Sequence, residues 1–180
     1  MKVRHTLFMA LFVALVFALS PTLAQAGGPE KAPGDQTIYE IASGNSNFDT
    51  LAFALEATGL DVVLDGEDQF TVFAPTDAAF AALEAANPGI TAQLVSNPDL
   101  LRSVLLYHAT DGRRYSNSVV NPNNAKQVTM LSGGTITVTP GAMIIDADSL
   151  GLGSPNASII SANISASNGV IHVIDQVLIP

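Results

Sequence analysis

The apolar positions of this chain follow two periods, and the change from one to the other marks its organisation. In SNFDTLAFALEATGL (46–60), Phe48, Leu51, Ala52 and Leu55 recur at i, i+3, i+4 and i+7, which predicts a helix with one buried face. Ser46 or Asn47 is the candidate cap, and Gly59 suits the left-handed residue that closes such a helix. Past the acidic turn LDGEDQ, residues 70–83 read FTVFAPTDAAFAAL: an unbroken apolar strand that meets Pro75 and becomes an alanine-rich helix. Thr76 is placed to cap that helix, and Asp77 falls in its first turn, where the dipole favours negative charge. Phe80 and Leu83 then point toward the core. Asn97-Pro98 opens a further helix whose face carries Leu101, Val104, Leu105 and His108, with Tyr107 on its flank beside Leu100.

After Asp111-Gly112 the period shortens to two. VTMLSGGTITVTPGAMIIDA (128–147) alternates around the turn signals Ser132-Gly133-Gly134 and Pro140-Gly141, as an antiparallel meander does. In SIISANISASNGVIHVIDQVLIP (158–180), Asn168-Gly169 separates two apolar runs and predicts a hairpin. Helices come first and strands mostly after, which argues for an α+β domain.

The ends and the charge refine this picture. Lys2 and Arg4 precede the apolar run LFMALFVALVFAL (7–19), which falls short of the roughly 20 residues needed to span a bilayer. Ser20-Pro21 follows, then Ala24-Gln25-Ala26, a secretory signal with cleavage expected after Ala26. Residues 27–36 (GGPEKAPGDQ) read as a flexible lead-in, and 37–180 as one domain with no transmembrane anchor, expected to be a monomer. The exported form carries five Lys+Arg against sixteen Asp+Glu, a net −11. Such a surface excludes nucleic acid as a partner. With no cysteine, the domain depends on its core for stability and offers neither thiol chemistry nor a zinc-thiolate site.

The search for chemistry returns little. After the signal only His108 and His172 remain, and neither sits in a metal-binding helix motif. There is no G-x-S-x-G, P-loop or dinucleotide turn. DADSLG (146–151) starts like a calcium loop, but Leu150 stands at its fifth position and Ala157 at the twelfth. The acidic turn Asp65–Asp68 reads as a solvated loop. No catalytic, cofactor or metal residue is assigned. His108 and His172 are read as packed, hydrogen-bonded side chains of an apolar helix face and a strand.

Taken together the segments resemble the fasciclin (FAS1) domain family, over residues 37–180. The first block of the resemblance is Thr71, Phe73, Ala74, Pro75, Thr76, Asp77, Ala79 and Phe80; Tyr107 and His108 are the second. Asn168, Gly169, Ile171, His172, Ile174, Asp175, Val177 and Leu178 are the third, with TITVTPGAMIIDADS filling the middle strands. The resemblance implies a β-sandwich or wedge of about seven strands with helices on one side. It further implies a non-catalytic adhesion or interaction module, secreted or periplasmic, that meets a cell-surface or matrix protein or polysaccharide. Leu105, Leu106, Tyr107 and His108 become the candidate interaction motif; Thr76, Asp77, Phe80, Asn168, Gly169, His172 and Asp175 are structural. One further contact is expected, from Asp77 or Thr76 to His108. The alternative function is carriage of an apolar ligand such as a carotenoid in a groove beneath the helices; an enzyme is third.

Overall fold

The structure is a computed structural model that describes residues 34–147 and 156–180. The expectations for the signal, for most of the lead-in and for residues 148–151 of DADSLG lie outside the described residues.

Helices α1 (Ile38–Ser43), α2 (Asp49–Thr58) and α3 (Asp61–Leu64) lead into strand β1 (Phe70–Pro75), then α4 (Asp77–Ala86), α5 (Ile90–Ser96) and α6 (Pro98–Leu106). After them come β2 (Ala109–Asp111), α7 (Ser116–Val119), β3 (Lys126–Thr129), β4 (Thr135–Val138), β5 (Met143–Ile145), β6 (Ala157–Ala166) and β7 (Gly169–Ile174). The strands form one seven-stranded sheet in the order β2-β1-β7-β6-β5-β4-β3. Among the described residues only β1 and β7 pair in parallel, with Phe70 opposite Gly169 and Pro75 opposite Ile174.

The expected seven strands with helices are present; where a sandwich or wedge was expected, the strands form one sheet curled almost into a barrel. Its bend lies in β6, where the register to β7 shifts between Ile159 and Ser161 and again between Ser161 and Ile164. Such bulges bend a strand and increase its twist. Asn163, inside the second shift, holds φ at +64°. Curling brings the far end of the sheet back to its first edge. Leu131 N–H donates to the Ala109 carbonyl at 2.8 Å, and the Thr110 hydroxyl donates to the Thr129 carbonyl at 2.7 Å. Edge groups that would otherwise be open to another chain are thereby paired.

Every residue of β1 and of β7 is buried, because both faces of this pair are covered. On one face, Val72, Ala74, Ile171 and Val173 pack with Ile38, Phe48, Leu51, Leu55, Leu101 and Leu105 from the helices, with Phe80 half-buried at the margin. On the other, Phe73 and Ile174 join Tyr107, Val128, Ile136, Val138, Ile144 and Leu178 inside the curl. Two cores explain a difference from the periodicity. Tyr107, expected on the flank of α6, is fully buried, because the side of α6 that turns away from the helical core meets the second one.

The hairpin forms, but Asn168-Gly169 is not its central pair. Ala166 pairs with Gly169, so the loop is Ser167-Asn168, and neither Asn168 nor Gly169 has positive φ. Asn168 is buried and joins distant segments: its Oδ1 accepts from Ile38 N–H at 2.9 Å. Its Nδ2 donates to the Leu64 and Gly66 carbonyls at 2.7 and 2.8 Å. Gly169 is required by close approach, since a Cβ there would lie 2.0 Å from the Phe70 carbonyl oxygen and 2.7 Å from Ile38 Cδ1.

This register makes a direct prediction. Gly169→Ala should destabilise the domain by on the order of 3 kcal/mol in urea unfolding, because backbone has to move to admit the methyl group. Gly141→Ala, at a position open to space, should change stability by less than about 0.5 kcal/mol. Equal effects from the two would contradict the parallel β1/β7 pairing.

Candidate functional site

The strand-to-helix junction after β1 is built as the sequence predicts, with one addition. Thr76 caps α4 by accepting from Ala79 N–H at 3.3 Å, and Asp77 sits in the first turn. Neither reaches His108. The Asp77 carboxylate instead accepts from Thr50 N–H at 2.8 Å, in the first turn of α2, while Asp77 N–H donates to the Asn47 carbonyl at 2.9 Å. One carboxylate therefore serves two helix N-termini. Ser46 and Asn47, the expected caps of α2, do not take that role: Phe48 is the boundary residue and makes no side-chain cap. Partial burial pushes the Asp77 carboxyl up, but the bonds from Thr50 and Asp49 outweigh it and hold the group below its ordinary range.

His108 ends the turn after α6 and lines the helical core. Its Nδ1 donates to the Val104 carbonyl at 2.8 Å, which leaves Nε2 to accept from Leu178 N–H at 2.9 Å. The neutral ring thus ties α6 to the segment that follows β7. Burial is the main cause that lowers its pKa to about 4, opposed by the Val104 bond. Beside it the Tyr107 hydroxyl donates to the Thr135 carbonyl and accepts from Ala147 N–H, each at 3.1 Å. Burial raises the Tyr107 pKa. Gly134 leaves room for the ring, whose Cε2 would be 2.6 Å from a Cβ there.

His172 repeats the arrangement in β7. Nε2 donates to the Arg114 carbonyl at 2.9 Å and Nδ1 accepts from Asn163 N–H at 3.4 Å, with the ring 5.5 Å from that of Phe73. Burial lowers its pKa as well. Asp175 accepts from Ser158 N–H at 2.6 Å and returns its own N–H to the Ser158 carbonyl, extending the β6/β7 ladder. Among the described residues every buried side-chain nitrogen and oxygen has a partner, and no three His, Asp or Glu groups converge as metal ligands would. The polar side chains singled out in the sequence are committed to architecture.

Of the candidate interaction motif, Leu105, Tyr107 and His108 are buried and Leu106 is half-buried. Leu105, Leu106 and His108 share a different feature: they line an apolar cleft between α1, α2, α3 and the sheet. Ile38, Leu51, Val72 and Ile171 are in its walls. Val63 and Leu131 line it while keeping 39% and 38% of their surface exposed. The sequence reading missed these two. The available signal was Val62-Val63, an apolar pair set among acidic residues.

The fold and the placement of the three motif blocks are those of a FAS1 domain. The chain belongs to the fasciclin domain family, whose profile matches residues 46–180. Protein sll1483 of Synechocystis sp. is 40% identical over 146 residues, 80% of this chain and 73% of that one. Immunogenic protein MPB70 of Mycobacterium bovis is 30% identical across 100% of this chain and 99% of its own. A solved FAS1 domain pair from the insect cell adhesion molecule Fasciclin I superposes with a TM-score of 0.64 at 15% identity, over 82% of this chain and 52% of that one. No helix among the described residues is long and apolar enough to cross a membrane.

Two measurements check this geometry. Asp77→Ala should cost about 1–2 kcal/mol through lost capping. Combined with His108→Ala it should be additive within about 0.5 kcal/mol, because the two groups share no partner. The second concerns acid. The native His108 pKa of about 4 lies below the ordinary 6.5, so between these values the unfolded chain binds a proton that the native state does not. The stability His108 contributes is full above pH 6.5 and falls by on the order of 3 kcal/mol as pH drops toward 4. In His108→Gln the midpoint of urea unfolding should fall less steeply over this window than in the parent, whatever its absolute value.

Proposed function

We propose that this chain is a non-catalytic interaction module of the adhesion type. It is exported through the apolar segment at its N-terminus and acts outside the cytoplasm, where it meets a cell-surface or matrix protein or polysaccharide. The observation that carries the reading is how the polar side chains are used. Both histidines, Asp77, Asn168 and Asp175 are spent on backbone groups, which leaves no poised acid, base or nucleophile among them. Apolar side chains remain at the surface instead, among them Phe53, Val62, Val63, Leu131 and Ile160. Family membership and the Fasciclin I structure, described as that of a cell adhesion molecule, support the same reading.

Deletion of the gene in the source cells should reduce their attachment to one another or to a surface. The full chain should restore it, and a chain without residues 1–26 should not, because it stays in the cytoplasm. Unchanged attachment in the deletion strain would count against the module. A carrier of an apolar pigment would give protein from its own cells a visible absorption band; a colourless preparation is expected.

A further inference from the structure

Beyond β7 the chain runs on from Asp175 to Pro180 without joining a helix or a strand, yet its centre is buried. Val177 and Ile179 enter the helical core, and Leu178 enters the core inside the curl. One short segment thus plugs both cores. Asp175 fixes where it begins, through its two bonds to Ser158. Further on, two titratable side chains take successive N–H groups. Leu178 N–H donates to His108 Nε2 at 2.9 Å, and Ile179 N–H donates to Asp146 Oδ2 at 2.7 Å.

A backbone carbonyl accepts at any pH, but an imidazole nitrogen does not. Nδ1 of His108 already carries the proton given to the Val104 carbonyl, so Nε2 accepts only in the neutral ring. A second proton, on Nε2, would set one N–H against another in a buried place. The surroundings give that charge no relief. The walls that α1, α2, α3 and β1 turn to the same cleft carry Ile38, Leu51, Leu64 and Val72, all apolar. On the far side of the segment stand Asp146, bonded to Ile179, and Tyr107, bonded to Thr135 and Ala147. Burial and the Val104 bond set the His108 pKa, and among the described residues no carboxylate favours the charged ring.

An imidazolium here is hydrated only if something beside it moves. On one side is α6, held by its own helical bonds and by the Nδ1 contact. On the other is a segment outside the sheet. His172 makes the contrast, because its acceptor bond goes to Asn163 within β6, which the β6/β7 ladder holds in place.

We propose that residues 176–180 form an acid-released latch with His108 as its trigger. Protonation of Nε2 displaces the Leu178 N–H, and the segment swings away from Asp175 while the sheet persists. Val177, Leu178 and Ile179 leave both cores, including the one on which the His108 cleft opens. External acidity then controls how much apolar surface the domain presents. The inference goes beyond the interaction-module reading and does not depend on it.

The test is amide hydrogen exchange of the 15N-labelled protein, followed by NMR and expressed as protection relative to an unstructured chain. In the released form the ring regains its ordinary pKa of about 6.5, against about 4 in the latched form. Opening should therefore become more frequent by on the order of twentyfold between pH 7 and pH 5, and level off below about pH 4. Leu178 and Ile179 should lose protection by that factor, with little dependence on added urea, because a local opening exposes little surface. The amides of β7 should instead show the steep urea dependence of global unfolding. Equal urea dependence in the two sets would overturn the proposal, since the segment would then leave only with the whole fold. A loss of protection that begins only below about pH 5 would overturn it too, because that onset belongs to carboxylates. Both outcomes are read in the parent protein and need no variant. In His108→Gln, whose side chain accepts a hydrogen bond but does not titrate, the pH dependence at Leu178 should disappear; an unchanged profile would reject His108 as the trigger.

Discussion

The parallel pairing of β1 with β7 is the constraint on which the rest of the structure depends. Both strands are buried along their whole length, so the pair must be covered on each face, and every polar group that reaches it must be satisfied inside the protein. Covering one face takes the helices; covering the other takes the remaining strands, which curl at the β6 bulges until Leu131 meets Ala109. The closest approach, Gly169 beside the Phe70 carbonyl, fixes the register of the pair and leaves no room for a side chain.

A parallel connection between β1 and β7 places long stretches of chain between elements that touch, and the buried polar residues bridge those stretches. Asn168 ties the hairpin to the entry of α1 and the exit of α3. His108 ties the end of α6 to Leu178, and His172 ties β7 to Arg114 and to the bulge at Asn163. Each histidine uses one nitrogen as donor and the other as acceptor, an arrangement open only to the neutral ring. Burial and bonding thus act together: the low pKa follows from the same enclosure that makes these bonds worth more than they would be in water. The buried polar residues act as joints of the fold.

The cleft that remains open is lined by apolar side chains and His108. The cleft arises because α1, α2 and α3 meet the sheet around Ile38, Leu51 and Val72 without filling the space toward Leu131.

Much of this was legible in the sequence because it is short-range. The faces of α2 and α6, the Thr76 cap, the Asn97-Pro98 start, the left-handed Gly59 and the meander all follow from periodicity and turn chemistry within a few residues. The family resemblance rested on the same local blocks and carried the fold with it. The sequence determined which elements form and which of their faces are apolar. The tertiary structure alone decided that Asp77 caps a helix 27 residues earlier, that Asn168 is a hub as well as a turn residue, and that Tyr107 has a second core to enter. It also decided that the sheet closes on itself. Those outcomes depend on partners distant along the chain, and a hydrogen bond between distant residues leaves no period in the residues between them.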